Sequence, residues 1–326
     1  MGLDTPKGAK EAITAARARI QRFAHVTPVM TSRRLNAIAG AELFFKCENL
    51  QRAGAFKTRG AFNAVMSLSD ADAARGVYTH SSGNHGAALA LAARTRGVPC
   101  HVVMPSNAAE AKHAAVDGYG AEIHVCEPTL AAREAVAARV GAETGARFIH
   151  PYDNEAIIAG QGTAAAELIE QVPELEIVTA PIGGGGLISG TALAVKAFAP
   201  KARVIGAEPA GADDAAQSFA RGQLVPQANP QTIADGLRAS LSERTFRIIG
   251  LNVAEIRTTP ELSIVDAMRL VWSAMKLVIE PSAAVPLAAI LEHPKPFAGR
   301  RVGVILTGGN VDLDALPWTA GGQRAR

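Results

Sequence analysis

Ile177-Val-Thr-Ala-Pro-Ile-Gly-Gly-Gly-Gly-Leu-Ile-Ser-Gly-Thr-Ala-Leu-Ala-Val-Lys-Ala-Phe198 holds a whole structural unit in one stretch. Ile177 to Ala180 is an apolar run of strand length, Gly183, Gly184, Gly185 and Gly186 form a loop without side chains, and Leu187 to Phe198 is built from good helix formers. A further strand candidate, Arg203 to Ala207, follows after Pro200. Strand, loop, helix and strand in that order need a crossover connection, so the sheet is expected to be parallel. Outward from this unit the alternation recurs. Strand candidates are Leu43 to Cys47, Val77 to Thr79, His101 to Met104, Glu122 to Val125, Phe148 to His150 and Val302 to Leu306. Helix candidates are Asn84 to Thr95, Leu130 to Ala142, Ile157 to Gln171, Ile264 to Lys276 and Ala283 to Leu291. The fold class is therefore α/β. The length, 326 residues, exceeds the usual single core, and no flexible linker marks a boundary, so two lobes that exchange chain segments are expected.

Bulk properties exclude several function classes. With 33 basic and 30 acidic residues and no dense Lys/Arg run, a nucleic-acid or anionic-membrane surface is not expected. No apolar stretch approaches the roughly 20 residues that span a bilayer, and the N-terminal segment lacks a secretory signal, so the cytoplasm is the expected compartment. Cys47, Cys100 and Cys126 are widely spaced, with no CxxC, and read as reduced strand or core residues.

Three loops could carry chemistry. In Arg52-Ala-Gly-Ala-Phe56-Lys57-Thr-Arg-Gly60 a lysine follows an aromatic ring at the start of a helix-like stretch. Desolvation and a helix N-terminus both lower an amine's pKa and make it a nucleophile; a solvated lysine at a helix start is the alternative. In Ser81-Ser82-Gly83-Asn84-His85-Gly86 small residues expose N–H groups and hydroxyls before a helix, either for a carboxylate or phosphate or merely as a cap. The run Gly183 to Gly186 suits a phosphate at a helix N-terminus, yet it fits neither GxGxxG in register nor the P-loop ending. Two weaker places remain. Glu208-Pro-Ala-Gly-Ala212-Asp213-Asp214 could offer oxygens to a hard cation or be a solvated acidic loop. Thr307-Gly-Gly-Asn310 follows a strand, where ligands gather in open α/β sheets, and alone would be an ordinary turn.

Together these segments resemble the serine and threonine dehydratase branch, including serine racemase, of the fold-type II pyridoxal-phosphate (PLP) enzymes. The resemblance is carried by Gly54 to Gly60, Thr79 to Gly86, Ala159-Gly-Gln-Gly-Thr163, Gly183 to Gly186, Ala207-Glu-Pro209, Ile233-Ala-Asp-Gly236 and Thr307 to Asp312. It implies a tryptophan synthase β-like fold of two open twisted α/β domains with the cofactor between them. Residues 1–52 and 152–326 would form the large PLP-binding domain and 53–151 a small mobile substrate domain. Lys57 would carry the cofactor covalently and act as base at the substrate Cα. Phe56 would lie against the pyridine ring, Asn84 would bond its 3′ oxygen, Gly183 to Gly186 and Leu187 would hold the phosphate, and Thr307 would meet the ring nitrogen. Ser81, Ser82, Gly83, Asn84 and His85 would bind the substrate carboxylate, with Ser82 as acid/base on the opposite face. Arg133 would approach a second carboxylate, although a solvated helix arginine is the alternative. Glu208, the Ala212 carbonyl and Asp214 would bind Mg2+, Mn2+ or Ca2+.

The implied activity is release of a 2-oxo acid and ammonia from a small β-hydroxy amino acid such as serine, threonine or 3-hydroxyaspartate, by a homodimer. Racemisation on the same scaffold is the alternative, and a non-catalytic amino acid binder would require loss of Lys57, which is present. Tyr152-Asp153 depart from the Asn-Gln of serine racemase after the same His-Pro. The chain also ends soon after Asn310, which implies no C-terminal allosteric domain.

Overall fold

The computed structural model describes residues 3, 5–81, 83–108 and 110–318. Two separate sheets form. The larger is built from β1 (Val29–Met30), β2 (Glu42–Cys47), β7 (Ile177–Pro181), β8 (Arg203–Pro209), β9 (Glu255–Thr259) and β10 (Arg301–Leu306), in the order β1-β2-β10-β7-β8-β9. Only β1 runs antiparallel to its neighbour. The smaller is built from β3 (Val77–Thr79), β4 (Cys100–Pro105), β5 (Glu122–Cys126) and β6 (Arg147–Phe148), in the order β5-β4-β3-β6, and is wholly parallel.

Helices cover both faces of the larger sheet, which is why β7 is buried at every position and reads as a continuous small and apolar run. On one face Leu43, Phe45, Val302 and Val304 pack with the Pro281–Glu292 and Glu261–Met275 helices. On the other, Val178, Ala180 and Ile305 meet the Glu155–Gln171 and Gly186–Phe198 helices. A third cluster centres on the Asn84–Arg96 helix and the smaller sheet.

The α/β alternation read from the sequence is present, and the differences have physical causes. The Pro6–Ile20 helix was not expected, because its charges mask a narrow stripe: Ala9, Ile13, Ala16 and Ile20 are buried at helical spacing. Burying each isoleucine is worth about 1.5–3 kcal/mol. Strand β9, Glu-Ile-Arg-Thr-Thr, lies at the sheet edge and carries little apolar pattern. Strand β6 stops at Phe148, although Ile149 N–H still donates to the Tyr78 carbonyl at 2.9 Å. All three cysteines are free and buried. Among the described residues no helix is long and apolar enough to cross a membrane.

Candidate active site

Parallel strands all point their carboxyl ends the same way, so the loops that leave them collect on one rim of a sheet. β7 leads into the glycine run, β8 into Glu208 to Asp214 and β10 into Thr307; in the smaller sheet β3 leads into His80-Ser81 and β6 into His150. Every loop singled out in the sequence, apart from the one bearing Lys57, leaves a strand at such an end.

The Lys57 loop is held to the β10 loop by backbone pairing. Phe56 N–H donates to the Thr307 carbonyl at 3.0 Å, Gly309 N–H donates to the Gly54 carbonyl at 2.9 Å, and Ala55 and Gly308 form an antiparallel bridge. Lys57 then starts the Lys57–Met66 helix. Its Nζ donates to the Pro151 carbonyl at 2.9 Å and lies 5.2 Å from the Phe56 ring centre. Burial pulls the amine down to about 8, while the charge of Glu280 opposes the shift.

That helix is fixed by a close crossing and by buried charge. A Cβ at Gly160 would lie 2.6 Å from the Gly60 Cα, and Gly60 N–H donates to Gln161 Oε1 at 3.2 Å, so the Ala159 to Thr163 motif serves helix packing. Arg59, two residues beyond Lys57, forks onto both oxygens of Glu48 at 2.7 and 2.8 Å and both of Glu167 at 2.7 and 2.8 Å. Lys46 completes the group with Glu167 at 2.8 Å.

Asn84 opens the Asn84–Arg96 helix and spans the space between the loops. Its Nδ2 donates to Glu280 at 2.9 and 3.1 Å, and its Oδ1 accepts from Asn310 Nδ2 at 2.9 Å. Glu280 is 5% exposed, and burial pushes its carboxyl up to about 7 against the hydrogen bond from Asn84. Ser81 and Gly83 flank the helix start, whereas Ser82 lies outside the described residues. His85 is buried, with Nε2 at 3.2 Å from the Ile149 carbonyl, so its ring is engaged with the backbone there.

The glycine run tolerates no side chain. A Cβ at Gly183 would sit 2.9 Å from the Gly236 carbonyl oxygen, one at Gly184 would fall inside the Tyr152 ring, and one at Gly185 would lie 2.7 Å from Thr245 Cβ. Gly185 also has φ +85°, a left-handed conformation that needs glycine. Gly186 and Leu187 begin the Gly186–Phe198 helix, whose first N–H groups have no partner within the helix and favour an anion.

Tyr152, a departure from the racemase pattern, packs on this run, and Asp153 pairs with Arg244 at 2.7 Å. His150 Nδ1 accepts from Asp153 N–H at 2.8 Å, which puts the ring proton on Nε2; burial and nearby His80 hold its pKa down at about 4. Arg133 lies on the Leu130–Thr144 helix with its Nε buried and unpartnered. Burial lowers the pKa of His80, and the Arg133 charge acts in the same direction.

Behind β8, Glu208 is fully buried and accepts from Ala215 N–H at 3.2 Å and Ala216 N–H at 2.9 Å. Burial, with Asp214 nearby, raises it to about 9, and burial raises Asp214 to about 6. Two buried carboxylates with raised pKa values and the adjacent buried Ala212 suit a hard cation, which would stabilise both as anions.

Glu280 and the Arg59 group escape sequence reading. Glu280 stands alone in Leu277-Val-Ile-Glu-Pro281, and the one signal it gives is a carboxylate placed just before an otherwise apolar helix that it does not cap.

The residues fit a cofactor that carries an aldehyde, a pyridine nitrogen and a phosphate. They offer a partly desolvated amine, a cradle of glycines at a helix N-terminus, and the buried Thr307 Oγ1, which has no partner among the described residues. Comparison with known proteins agrees. The family described as "Pyridoxal-phosphate dependent enzyme" matches residues 20–308. A beta-hydroxyaspartate dehydratase of Paracoccus denitrificans (strain Pd 1222) is 55% identical, over 94% of this chain and 98% of the relative. The structure of maize serine racemase superposes with a TM-score of 0.92 at 47% identity, covering 95% of each chain. The crystal structure of a T.th. threonine deaminase gives 0.88 at 42% identity, over 93% of this chain and 98% of that one. With an amine, a glycine cradle and a hydroxyl of the kinds such a cofactor uses, and with the match running through nearly all the described chain, the protein belongs to the pyridoxal-phosphate dependent enzymes of fold type II.

Proposed function

We propose that the protein is a PLP-dependent ammonia-lyase for β-hydroxy amino acids and that 3-hydroxyaspartate is its preferred substrate. The observation that carries the choice of substrate is Arg133: its Nε is buried with no partner among the described residues, and its charge is felt at His80. A guanidinium there would take a β-carboxylate through a charge-assisted contact that serine and threonine cannot make. The relative that is 55% identical bears the name of a dehydratase for this compound.

Bound PLP supplies a conjugated electron sink next to the substrate Cα. The chain's own residues do the rest. Lys57 would attach the cofactor, and with its pKa at about 8 its freed amine can take the Cα proton close to neutral pH. Gly183 to Leu187 would hold the phosphate, Thr307 would give its hydroxyl to the ring nitrogen, Phe56 would pack against the ring, and Asn84, oriented by Glu280 and Asn310, would bond the ring oxygen. Ser81 to His85 would bind the α-carboxylate through backbone and hydroxyl donors. The Cα–H and Cβ–O bonds break, the leaving hydroxide takes up one proton to depart as water, which balances the proton that Lys57 removes from Cα, and hydrolysis of the resulting enamine consumes one water and frees ammonia with a 2-oxo acid. For 3-hydroxyaspartate that product is oxaloacetate. Glu208, the Ala212 carbonyl and Asp214 would hold Mg2+, Mn2+ or Ca2+, and residues 53–151 would move as a small domain against a homodimeric large one. Racemisation is the second reading, favoured by the 47% identity to maize serine racemase, with Ser82 as the acid on the far face.

The test is a panel of serine, threonine and 3-hydroxyaspartate stereoisomers scored for 2-oxo acid and for enantiomer. Lys57→Ala should lose the yellow cofactor link and about 10²–10⁴-fold or more of turnover. Arg133→Ala should depress kcat/KM on 3-hydroxyaspartate at least tenfold more than on serine. Equal losses on both substrates would refute the choice of substrate, and chiral inversion without 2-oxo acid would establish the racemase reading.

A further inference from the structure

A second cluster of metal-ligating side chains lies on the smaller sheet, outside the PLP cleft. His101 is the second residue of β4, and Glu122 and His124 lie on β5, the edge strand. The parallel register sets His101 opposite Glu122, and His124 follows two residues on, so all three side chains stand on one face. The same face carries Tyr78, Val103 and Cys126, which pack with Ala137 and Val140 of the Leu130–Thr144 helix. The two imidazoles are therefore mostly covered, their side chains 12% and 19% exposed, while Glu122 at 66% leaves an opening to solvent.

His101 Nδ1 lies 3.2 Å from His124 Nε2 and 3.2 Å from Glu122 Oε2, and His124 Nε2 lies 3.5 Å from Glu122 Oε1. Metal–nitrogen and metal–oxygen bonds of about 2.0–2.1 Å at the tetrahedral angle put neighbouring ligand atoms about 3.3–3.4 Å apart. The three separations bracket that figure. The two imidazoles approach different oxygens of Glu122, so the carboxylate faces both rings, and one ligand atom from each of the three residues lies within 4.8 Å of the others, near enough for one cation to take a lone pair from all three.

We propose that His101, Glu122 and His124 form a binding site for a zinc-class divalent cation, with water in the fourth position, that ties edge strand β5 to β4. Two imidazoles and one carboxylate favour zinc, cobalt or nickel over magnesium and calcium, which take oxygen ligands. The site thus differs in ligand chemistry from the all-oxygen set at Glu208 and Asp214.

The experiment uses the full-length holoenzyme, treated with chelator and then titrated with Co2+. Wild type should take up cobalt with the visible d–d bands of a tetrahedral centre, should lose them to Zn2+, and should melt several degrees higher with either ion. Asp214→Asn should keep the bands. Glu122→Gln and His124→Gln should keep the cofactor absorbance and weaken cobalt binding by more than the about 10–100-fold that an outer-shell partner is worth. Because Glu122 is exposed, its variant decides the matter even if the histidine variant misfolds. Absence of bands in wild type, or bands that survive Glu122→Gln and vanish in Asp214→Asn, would overturn the assignment.

Discussion

Two regions of this protein bury ionisable groups, and they treat them in opposite ways. Behind the Lys57–Met66 helix, Arg59, Lys46, Glu48 and Glu167 make two positive and two negative charges that satisfy one another. Thr27 donates to Glu48 at 2.5 Å, and Lys46 donates to the Thr27 carbonyl at 2.8 Å. Burial alone would lower the Arg59 pKa and raise that of Glu167, yet the pairing more than offsets it in both and holds each in its charged form; Lys46 is the exception, its pKa lowered by burial in spite of Glu167. In the cleft the balance reverses. Lys57 falls to about 8, Glu280 rises to about 7 and Glu208 to about 9, with burial the largest cause each time. Thr307 Oγ1 there, and Arg133 Nε, are buried with no partner among the described residues. A closed charge network holds a scaffold in place; groups left short of partners mark where a ligand completes the set.

The comparison breaks most visibly at Arg59. Arg59→Met leaves Glu48 and Glu167 buried and underpaired, and should cost about 3–5 kcal/mol in denaturant unfolding. Replacing all four charged residues by apolar ones of similar volume should cost far less, and a fourfold variant as unstable as the single one would show that the network does more than balance itself. At Glu208 the effect runs with pH. Its folded pKa of about 9 lies above the ordinary carboxylate value, so the native state holds the extra proton between those limits. Stability of the chelated protein should therefore fall as pH rises from about 4.5 to about 9. Saturating Mg2+ should flatten that slope, and thermal melts across the range without and with Mg2+ check it. The smallest effect is expected at Thr307. Thr307→Val should leave the stability of the apoprotein almost unchanged, since Oγ1 has no partner to lose among the described residues. It should weaken PLP binding about tenfold, the worth of one hydrogen bond of about 1–1.5 kcal/mol. A large loss of apoprotein stability would place Thr307 with the scaffold instead.

Legibility in the sequence followed how local each signal was. Gly183 to Gly186 between a strand and a helix, Phe56-Lys57 at a helix start and Thr307 after a strand all announce themselves within a few residues. Strands β2, β7, β8 and β10 were legible because most of their positions are buried and the runs stay largely small or apolar, with Lys46 in β2 and Glu208 in β8 as the buried charged exceptions. Strand β9 and the Pro6–Ile20 helix were not, since an edge position and a stripe of four buried residues among charges leave a weak pattern.

By itself the sequence determined the α/β alternation, the glycine cradle and the residue types of the cofactor site, because propensity, periodicity and backbone freedom act over neighbouring residues. Tertiary structure alone decided which groups meet. Glu280 reaches Asn84 across 196 positions, Arg59 reaches Glu167 across 108, and His101 meets His124 only through the register of two parallel strands. Ionisation states were decided at the same level, since desolvation and pairing depend on packing partners brought together from distant parts of the chain.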